Sequence, residues 1–347
     1  MSNIESKSNF INRWDSDAFP NKEVGYQVFK DVKQKLKISP HPFSSWRSVP
    51  NQKLKTITIN ENGLRSKSLK NLRFKNNAVL LGGSVAWGFG ATSNENTPAY
   101  LIENILYEKY GIEFNIINLA EQMFTSFEEL NSFMATADEL KPSLVVSLSG
   151  CNDINAAYLN SFKNNSLYKI STNFFSWGIK LGLVHEKNFF KKILKLFLRS
   201  YKQNSDFNDD FYSINKPGKK QIATKLFENK LTWMNSYCKS KNIKIIHILQ
   251  PDLHFKKHKS KFEQSYIDSI EQTRSKFTID GFRELEKNFF SETPNNNNEL
   301  YLNLLDIFDK YDNTIYVDKA HTSNGGYKLM AEKICAEIFK NSEFLKK

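Results

Sequence analysis

The chain has 347 residues, of which 40% are hydrophobic and 14% aromatic, enough to bury one large core. Its net charge of +12 comes from 49 Lys and Arg against 37 Asp and Glu, yet no nucleic-acid module motif accompanies this charge. A lysine-rich solvated surface is therefore the favoured interpretation, and nucleic acid is not expected as a partner.

Cysteine usage and hydropathy indicate the cellular compartment of the protein. Cys151, Cys238 and Cys335 are widely spaced and odd in number, which provides neither a disulfide framework nor a zinc-ligand pattern and favours a reducing compartment. Residues 1–13 lack the apolar core of a signal peptide, and no later stretch approaches about 20 uninterrupted apolar residues. We therefore expect a cytoplasmic protein.

Residues 1–76 are predicted to form an extension packed on the core, not a separate domain. The pattern in this part predicts a helix over 24–36, a turn at 40–42 and a short strand over 56–59. Residues 77–347 are predicted to form one domain with a helical insertion.

Strands and helices alternate in the predicted domain. Five strands are predicted, over 78–81, 114–117, 144–148, 243–249 and about 302–307. Three helices are predicted between them, over 98–110, 126–140 and about 219–239. Ser126 and Glu129 have the spacing of a capping box. Strands that are apolar on both faces and alternate with helices are typical of a mainly parallel sheet covered on both sides, so we predict a three-layer α/β/α sandwich.

Polar residues follow several of these strands directly. Ser84 follows the first, Asn152 the third and Gln250 the fourth. In parallel sheets ligands bind at the carboxyl ends of the strands, so these side chains are expected to share one site. Asp318 lies three residues before His321. Together they provide the nucleophile, oxyanion donor, orienting acid and base of a serine esterase.

The motifs around these residues resemble the SGNH, or GDSL-like, hydrolase family. The similar blocks are Gly82-Gly83-Ser84, Gly150-Cys151-Asn152-Asp153 and Asp318-Lys319-Ala320-His321. The resemblance begins near residue 79 and implies the flavodoxin-like fold of that family, without a metal or cofactor. It also implies that Ser84 is the nucleophile, that His321 is the general base and that Asp318 holds the histidine tautomer. The Ser84 backbone N–H and the Asn152 amide would face the oxyanion, and Asp153 would brace the loop.

Two positions depart from the family pattern. Gly83 stands where an aspartate often precedes the serine, and Met123 stands where the second block usually has its oxyanion-hole glycine. The Met123 backbone N–H can still donate to an oxyanion, but a methionine is strained at the positive φ that glycine tolerates. The departure could lower activity or reshape the substrate pocket.

Other chemistries fit the same segments less well. The residues around Ser84 nearly match the G-x-S-x-G elbow of α/β-hydrolases, but in that fold the acid and the histidine are not three residues apart. The neighbouring glycines lack the Gly-Lys-Ser/Thr of a phosphate loop. His254 and His258, with Asp252 nearby, lack a further metal ligand, so a solvated loop is favoured.

Two further residues are candidates for substrate binding. Arg65 ends an Asn-x-x-Gly-x-Arg segment, 60–65, which resembles one that precedes the catalytic core in some bacterial members of the family. It could reach an anionic substrate group or tie the extension to the core by hydrogen bonds, and the second role is favoured. Gln250 could line the pocket or only cap the sheet.

The insertion, at about 156–218, contains a basic amphipathic helix over 187–199. Its apolar face is Phe189, Phe190, Ile193, Leu194, Phe197 and Leu198. A lid over the site is the favoured role, and peripheral contact with an anionic membrane or a partner is the alternative.

The family resemblance implies hydrolysis of an ester through an acyl-enzyme, with small O-acyl groups, often on sugars, as the substrate class. One alternative is an acyltransferase with a sugar acceptor in place of water, and another is a catalytically weak binding protein that uses the same cleft. A small-molecule or glycan ester is the expected ligand, and the oligomeric state is left open.

Overall fold

The computed structural model describes residues 12–162, 221–291 and 298–341. Of the predicted insertion, only its first residues, 156–162, are described. The predicted helix over 187–199, with the choice between a lid and a membrane contact, lies outside the described residues.

The strands form one hairpin and one larger sheet in the described part. The antiparallel hairpin consists of β1 (Ile38–His41) and β2 (Ser45–Ser48). Five parallel strands form the central sheet: β3 (Asn77–Gly82), β4 (Asn115–Asn118), β5 (Leu144–Ser149), β6 (Lys244–Leu249) and β7 (Glu299–Asn303). Their spatial order is β4-β3-β5-β6-β7. The chain order reverses between β3 and β5, which is where sheets of this kind open a binding crevice at the strand ends.

Helices cover both faces of the central sheet. The described α-helices are α1 (Lys22–Phe29), α2 (Ser84–Trp87), α3 (Pro98–Tyr110), α4 (Ser126–Leu140), α5 (Cys151–Phe162), α6 (Gln221–Ser240), α7 (Lys261–Asp268), α8 (Gln272–Leu285) and α9 (Asn324–Lys340). Short 3₁₀ and π-helical turns join several of them.

Successive residues of β3 point to opposite faces of the sheet, as the period of a strand requires. Leu80 packs in the same cluster as Ile102 of α3 and Ile334 of α9. Val79, one residue earlier, packs in the cluster that contains Phe133 of α4 and Met234 of α6. The predicted three-layer α/β/α sandwich with a mainly parallel sheet is confirmed.

The N-terminal part packs on this sandwich through polar contacts. The Ser16 hydroxyl donates to the Tyr316 carbonyl at 2.9 Å. Ser48 donates its N–H and its hydroxyl to the buried Glu121 carboxylate at 2.8 and 2.7 Å. These contacts support our proposal that residues 12–76 are an extension of the sheet domain.

Several predicted boundaries were wrong. No strand forms over 56–59, where Thr58 makes only an isolated bridge with Lys53. The last strand is β7, which begins and ends earlier than the predicted 302–307. The predicted turn at 40–42 overlaps the β1 strand of the hairpin.

The capping box of α4 is shifted by one residue from its prediction. Thr125 is the N-cap, and its side chain and backbone N–H pair with Glu128. Ser126 and Glu129 are buried and bond to other elements.

Among the described helices, none combines the length and the apolar composition needed to cross a bilayer.

Candidate active site

Ser84 lies at the carboxyl end of β3, where the strand turns into α2. It is half-buried. Because it is the first residue of α2, its backbone N–H has no partner within the helix. Gly83 precedes it, and a Cβ at Gly83 would overlap the Asn152 amide nitrogen. A side chain at the position where the family often has an aspartate would therefore have to displace the Asn152 amide from its bond to the Phe124 carbonyl.

His321 and Asp318 lie on the loop before α9 and face Ser84. The Ser84 Oγ lies 2.6 Å from His321 Nε2. The other ring nitrogen, Nδ1, lies 2.8 Å from Asp318 Oδ2 and 2.9 Å from Oδ1. Because the carboxylate accepts only, Nδ1 carries the ring hydrogen, and Nε2 is left to accept the Ser84 proton.

Asp318 is held by the backbone of its own loop. Its Oδ1 accepts the N–H groups of Ala320 and His321, each at 2.9 Å. Burial alone would raise the pKa of this carboxyl, but His321, the hydrogen bonds and Arg13 together hold the pKa well below its ordinary value. Asp318 is therefore ionised over the whole physiological range, so that its carboxylate always accepts from His321.

Two residues from other elements fix these side chains from outside. The Phe89 ring stacks on the His321 imidazole, with 4.3 Å between ring centroids. Arg13, from the N-terminal part, places Nη1 2.5 Å from Asp318 Oδ2 and its guanidinium 5.9 Å from the centre of the Phe89 ring. Phe89 limits rotation of the imidazole, and Arg13 binds the carboxylate oxygen that also faces His321 Nδ1.

Of the predicted oxyanion donors, Ser84 and Asn152 line the same cleft. Asn152, near the start of α5, donates one amide hydrogen to the Phe124 carbonyl at 2.8 Å, which orients the amide and leaves a second hydrogen. Met123 has φ of +64° and its side chain is 65% exposed. Its backbone N–H has no hydrogen-bond acceptor within the described chain. The methionine thus occupies the left-handed backbone region expected of a glycine.

A buried polar network supports the loop that carries Met123 and Phe124. Asp153 Oδ1 and Oδ2 accept the Ser126 N–H and hydroxyl, each at 3.0 Å. Behind them, the buried Lys230 ammonium pairs with Glu129 at 3.0 Å. Burial, followed by the Glu129 charge, raises the pKa of Asp153 to about 7, against the opposing effect of Lys230.

Two candidate substrate-binding residues have different positions. Gln250 lies in the cleft with Ser84 and His321; it is 3% exposed, and its Nε2 lacks a hydrogen-bond partner within the described residues. Arg65 is buried away from the cleft, where it donates to the carbonyls of Gly88 at 2.6 Å and Thr56 at 2.9 Å. The structure therefore does not bring Arg65 to the substrate, and the arginine ties the extension to the core.

Cys151 and His254 are poorly suited to a nucleophilic or metal-binding role. Cys151 lines the cleft, but burial raises the pKa of its thiol to about 11, so the thiol is neutral and a poor nucleophile. The His254 Nδ1 lies 2.6 Å from Asp252 Oδ1. No group of three or more His, Cys, Asp or Glu suited to a metal occurs among the described residues.

Sequence reasoning missed three cationic residues of the cleft, Arg13, Arg274 and Lys319. Lys319 stands inside the Asp318–His321 block, so its position next to the site was available from the sequence. Arg13 and Arg274 carry no local signal, because only tertiary packing brings their segments to the cleft.

The arrangement places a serine hydroxyl within hydrogen-bonding distance of a histidine at a strand end of an α/β fold. The family model described as GDSL-like Lipase/Acylhydrolase matches residues 79–334. The chain belongs to this family, and it is a carboxylic ester hydrolase of the SGNH type.

Solved structures resemble the chain at low sequence identity. A lipase from a goat rumen metagenome is 14% identical, covers 76% of this chain and 97% of its own, and has a TM-score of 0.43. The lipase/acylhydrolase from Enterococcus faecalis is 17% identical, with coverages of 77% and 96% and a TM-score of 0.43. An acetylxylan esterase from Geobacillus stearothermophilus is 12% identical, with coverages of 77% and 95% and a TM-score of 0.39. A comparison with curated proteins found no match.

Proposed function

We propose that the chain hydrolyses an ester by an acyl-enzyme mechanism in which Ser84, His321 and Asp318 form the catalytic triad. The observation that carries this proposal is the continuous hydrogen-bonded line from Ser84 Oγ through both ring nitrogens of His321 to Asp318. This is the geometry of a serine activated by a general base whose tautomer is fixed by a carboxylate.

The reaction proceeds in two halves. In the first, Ser84 Oγ attacks the ester carbonyl carbon while His321 Nε2 takes its proton; the tetrahedral intermediate then expels the alcohol, which receives that proton from His321. In the second, a water gives its proton to Nε2 and attacks the acyl-enzyme carbonyl. The carboxylic acid leaves, and Ser84 regains its proton. Asp318 stays ionised and stabilises the imidazolium in both halves.

The oxyanion of each tetrahedral intermediate needs donors placed before the reaction begins. We assign this role to the Ser84 backbone N–H and the second hydrogen of the Asn152 amide, with the Met123 backbone N–H as a third donor. Removal of one such donor typically lowers kcat about 10²- to 10³-fold.

A small O-acyl group on a carbohydrate alcohol is the substrate class that we propose. The family membership supports an ester, and one of the similar solved structures is described as an acetylxylan esterase. Transfer of the acyl group to a sugar hydroxyl would use the same triad, with the hydroxyl in place of water. Added sugar acceptors distinguish the two reactions, because transfer forms a new ester and hydrolysis releases the free acid.

Labelling with a fluorophosphonate tests the triad. Wild type should be modified on Ser84, as located by mass spectrometry, whereas Ser84→Ala and His321→Ala should not react. Ser269→Ala, which removes an exposed serine after α7, is the matched control and should be labelled like wild type. Unlabelled but folded wild type, or label that persists in Ser84→Ala, would refute the proposal. Acetate release from acetylated glycosides then tests the substrate class.

A further inference from the structure

The cleft around Ser84 has more positive than negative charge. Three cationic side chains, Arg13, Arg274 and Lys319, line it together with one carboxylate, Asp318. Asp318 is already bound by Arg13 and His321. The charge of the other two cations is therefore not balanced by the acid of the triad.

Arg274 lies in the first turn of α8 and has no anionic partner among the described residues. It makes no ion pair or hydrogen bond with any described residue, its Nε is buried, and its guanidinium lies 5.8 Å from the centre of the Tyr158 ring. The nearby Glu271 carboxylate instead accepts from the hydroxyls of Thr273 and Tyr158. The helix dipole adds positive potential at this end.

Lys319 also lacks a carboxylate partner in the described ranges. Its ammonium donates to the Asn155 side-chain oxygen at 2.5 Å, a neutral acceptor, and it forms no ion pair within the part of the chain that the structure describes. This bond to α5 holds the ammonium at the cleft, two residues before His321. An ammonium has three donors, so it can bind a second acceptor without losing Asn155.

Gln250 provides an independent sign that a polar ligand fills this cleft. It is only 3% exposed, and its Nε2 has no hydrogen-bond partner in the described chain. A buried donor without an acceptor destabilises the folded state. A ligand oxygen in the cleft would accept a hydrogen bond from Nε2, and a negative charge on the ligand would pair with the two cations.

We propose that the ester substrate carries an anionic group, a carboxylate or a phosphate, which Arg274 and Lys319 bind beside Ser84. This inference rests on the proposed function of Ser84 and narrows its substrate to acyl esters of acidic alcohols, such as an acylated uronic acid or sugar phosphate. A guanidinium binds either group through two parallel hydrogen bonds, and Lys319 supplies a point charge.

Calorimetric titration of Ser84→Ala tests the inference, because this variant lacks the nucleophile and should bind an ester without turning it over. Three esters with the same acetyl group are compared: an O-acetylated methyl glucuronoside, its neutral methyl ester, and the O-acetylated methyl glucoside 6-phosphate. We expect at least one anionic ester to bind about tenfold or more tightly than the neutral one, since a charge-assisted hydrogen bond contributes on that scale. The tighter of the two anions distinguishes carboxylate from phosphate.

Variants at the two cations locate the binding site. In the Ser84→Ala background, Arg274→Gln and Lys319→Met should each reduce the preference for the anionic ester, and Arg274→Lys should restore part of it. Arg283→Gln is the matched control, because Arg283 lies on the same helix and pairs with Glu286 outside the cleft. The control should keep the full preference.

Two results overturn the inference. One is equal or undetectable binding of all three esters, and the other is a preference for the anion that survives in both Arg274→Gln and Lys319→Met. Neither result tests the proposed function, which is tested separately by fluorophosphonate labelling of Ser84 in wild type. A labelled serine without anion preference would leave a neutral ester as the substrate.

Discussion

Arg13 Nη1 lies 2.5 Å from Asp318 Oδ2, the oxygen that also faces His321 Nδ1 at 2.8 Å. One carboxylate oxygen is thus shared between a permanent cation from the N-terminal part and the imidazole that we propose as the general base. Arg13 helps to keep Asp318 ionised.

Replacement of Arg13 should therefore lower the rate of the chemical step. Arg13→Gln removes an ion pair that fixes Asp318, so the carboxylate orients the His321 imidazole less firmly. We expect kcat to fall about tenfold with little change in KM. The measurement is steady-state kinetics with a neutral ester. Arg73→Gln, in the same N-terminal part but stacked on Tyr107, is the control and should keep the wild-type kcat. An unchanged kcat in Arg13→Gln would show that Arg13 does not position Asp318.

Asn152 should affect kcat more than KM. Its amide is oriented by the Phe124 carbonyl and has one hydrogen left for the oxyanion, which exists only after attack. In Asn152→Ala we expect kcat to fall about 10²- to 10³-fold with little change in KM. Steady-state kinetics beside a thermal melt separate this loss from unfolding. A large rise in KM with kcat unchanged would instead make Asn152 a residue that binds the ground state.

The sequence predicted the central strands well because they are buried on both faces. All six residues of β5 are buried, and the apolar run predicted this strand to within one residue. β7 pairs with β6 alone and alternates between buried and half-buried residues, so no continuous apolar run marks it. The apolar residues that follow it produced the misplaced prediction.

Ser84 and Asn152 were expected to lie together, since the carboxyl ends of parallel strands converge, and the family resemblance added Asp318 and His321. No local sequence pattern predicted the contact of Arg13 with Asp318 or that of Lys230 with Glu129. Each joins segments far apart in sequence, and an arginine or lysine in a basic chain does not differ locally from its solvated neighbours. Only the packed structure distinguishes these pairs.

Met123 is a non-glycine residue at φ of +64°, a conformation that costs an L-residue with a Cβ about 1 kcal/mol or more. Its exposed side chain adds little packing to offset this. We expect Met123→Gly to be more stable than Met123→Ala by about 1 kcal/mol, because only glycine removes the Cβ. Chemical denaturation of both variants measures the difference, with alanine as the matched control for loss of the side chain. A glycine variant less stable than the alanine variant would mean that unfolded-state entropy outweighs the strain.

Asp153 should make stability depend on pH. Its folded-state pKa of about 7 lies above the unfolded value of about 3.9. Between these values the folded chain holds a proton that the unfolded chain has lost, so this group lowers stability as pH rises from about 4 to about 7. Asp153→Asn keeps the shape of the side chain but cannot ionise. Its stability relative to wild type should therefore increase across that window and then level off.

Each unit by which the pKa is raised corresponds to about 1.4 kcal/mol, so the relative gain of Asp153→Asn should exceed about 1 kcal/mol between pH 4 and 8. Denaturant titrations of both proteins at several pH values measure it. Asp138→Asn, which neutralises an exposed carboxylate on α4, is the control and should follow wild type. A gain that shrinks as pH rises would mean that the Lys230 charge outweighs burial and the Glu129 charge, and that Asp153 is ionised beneath the loop carrying Met123.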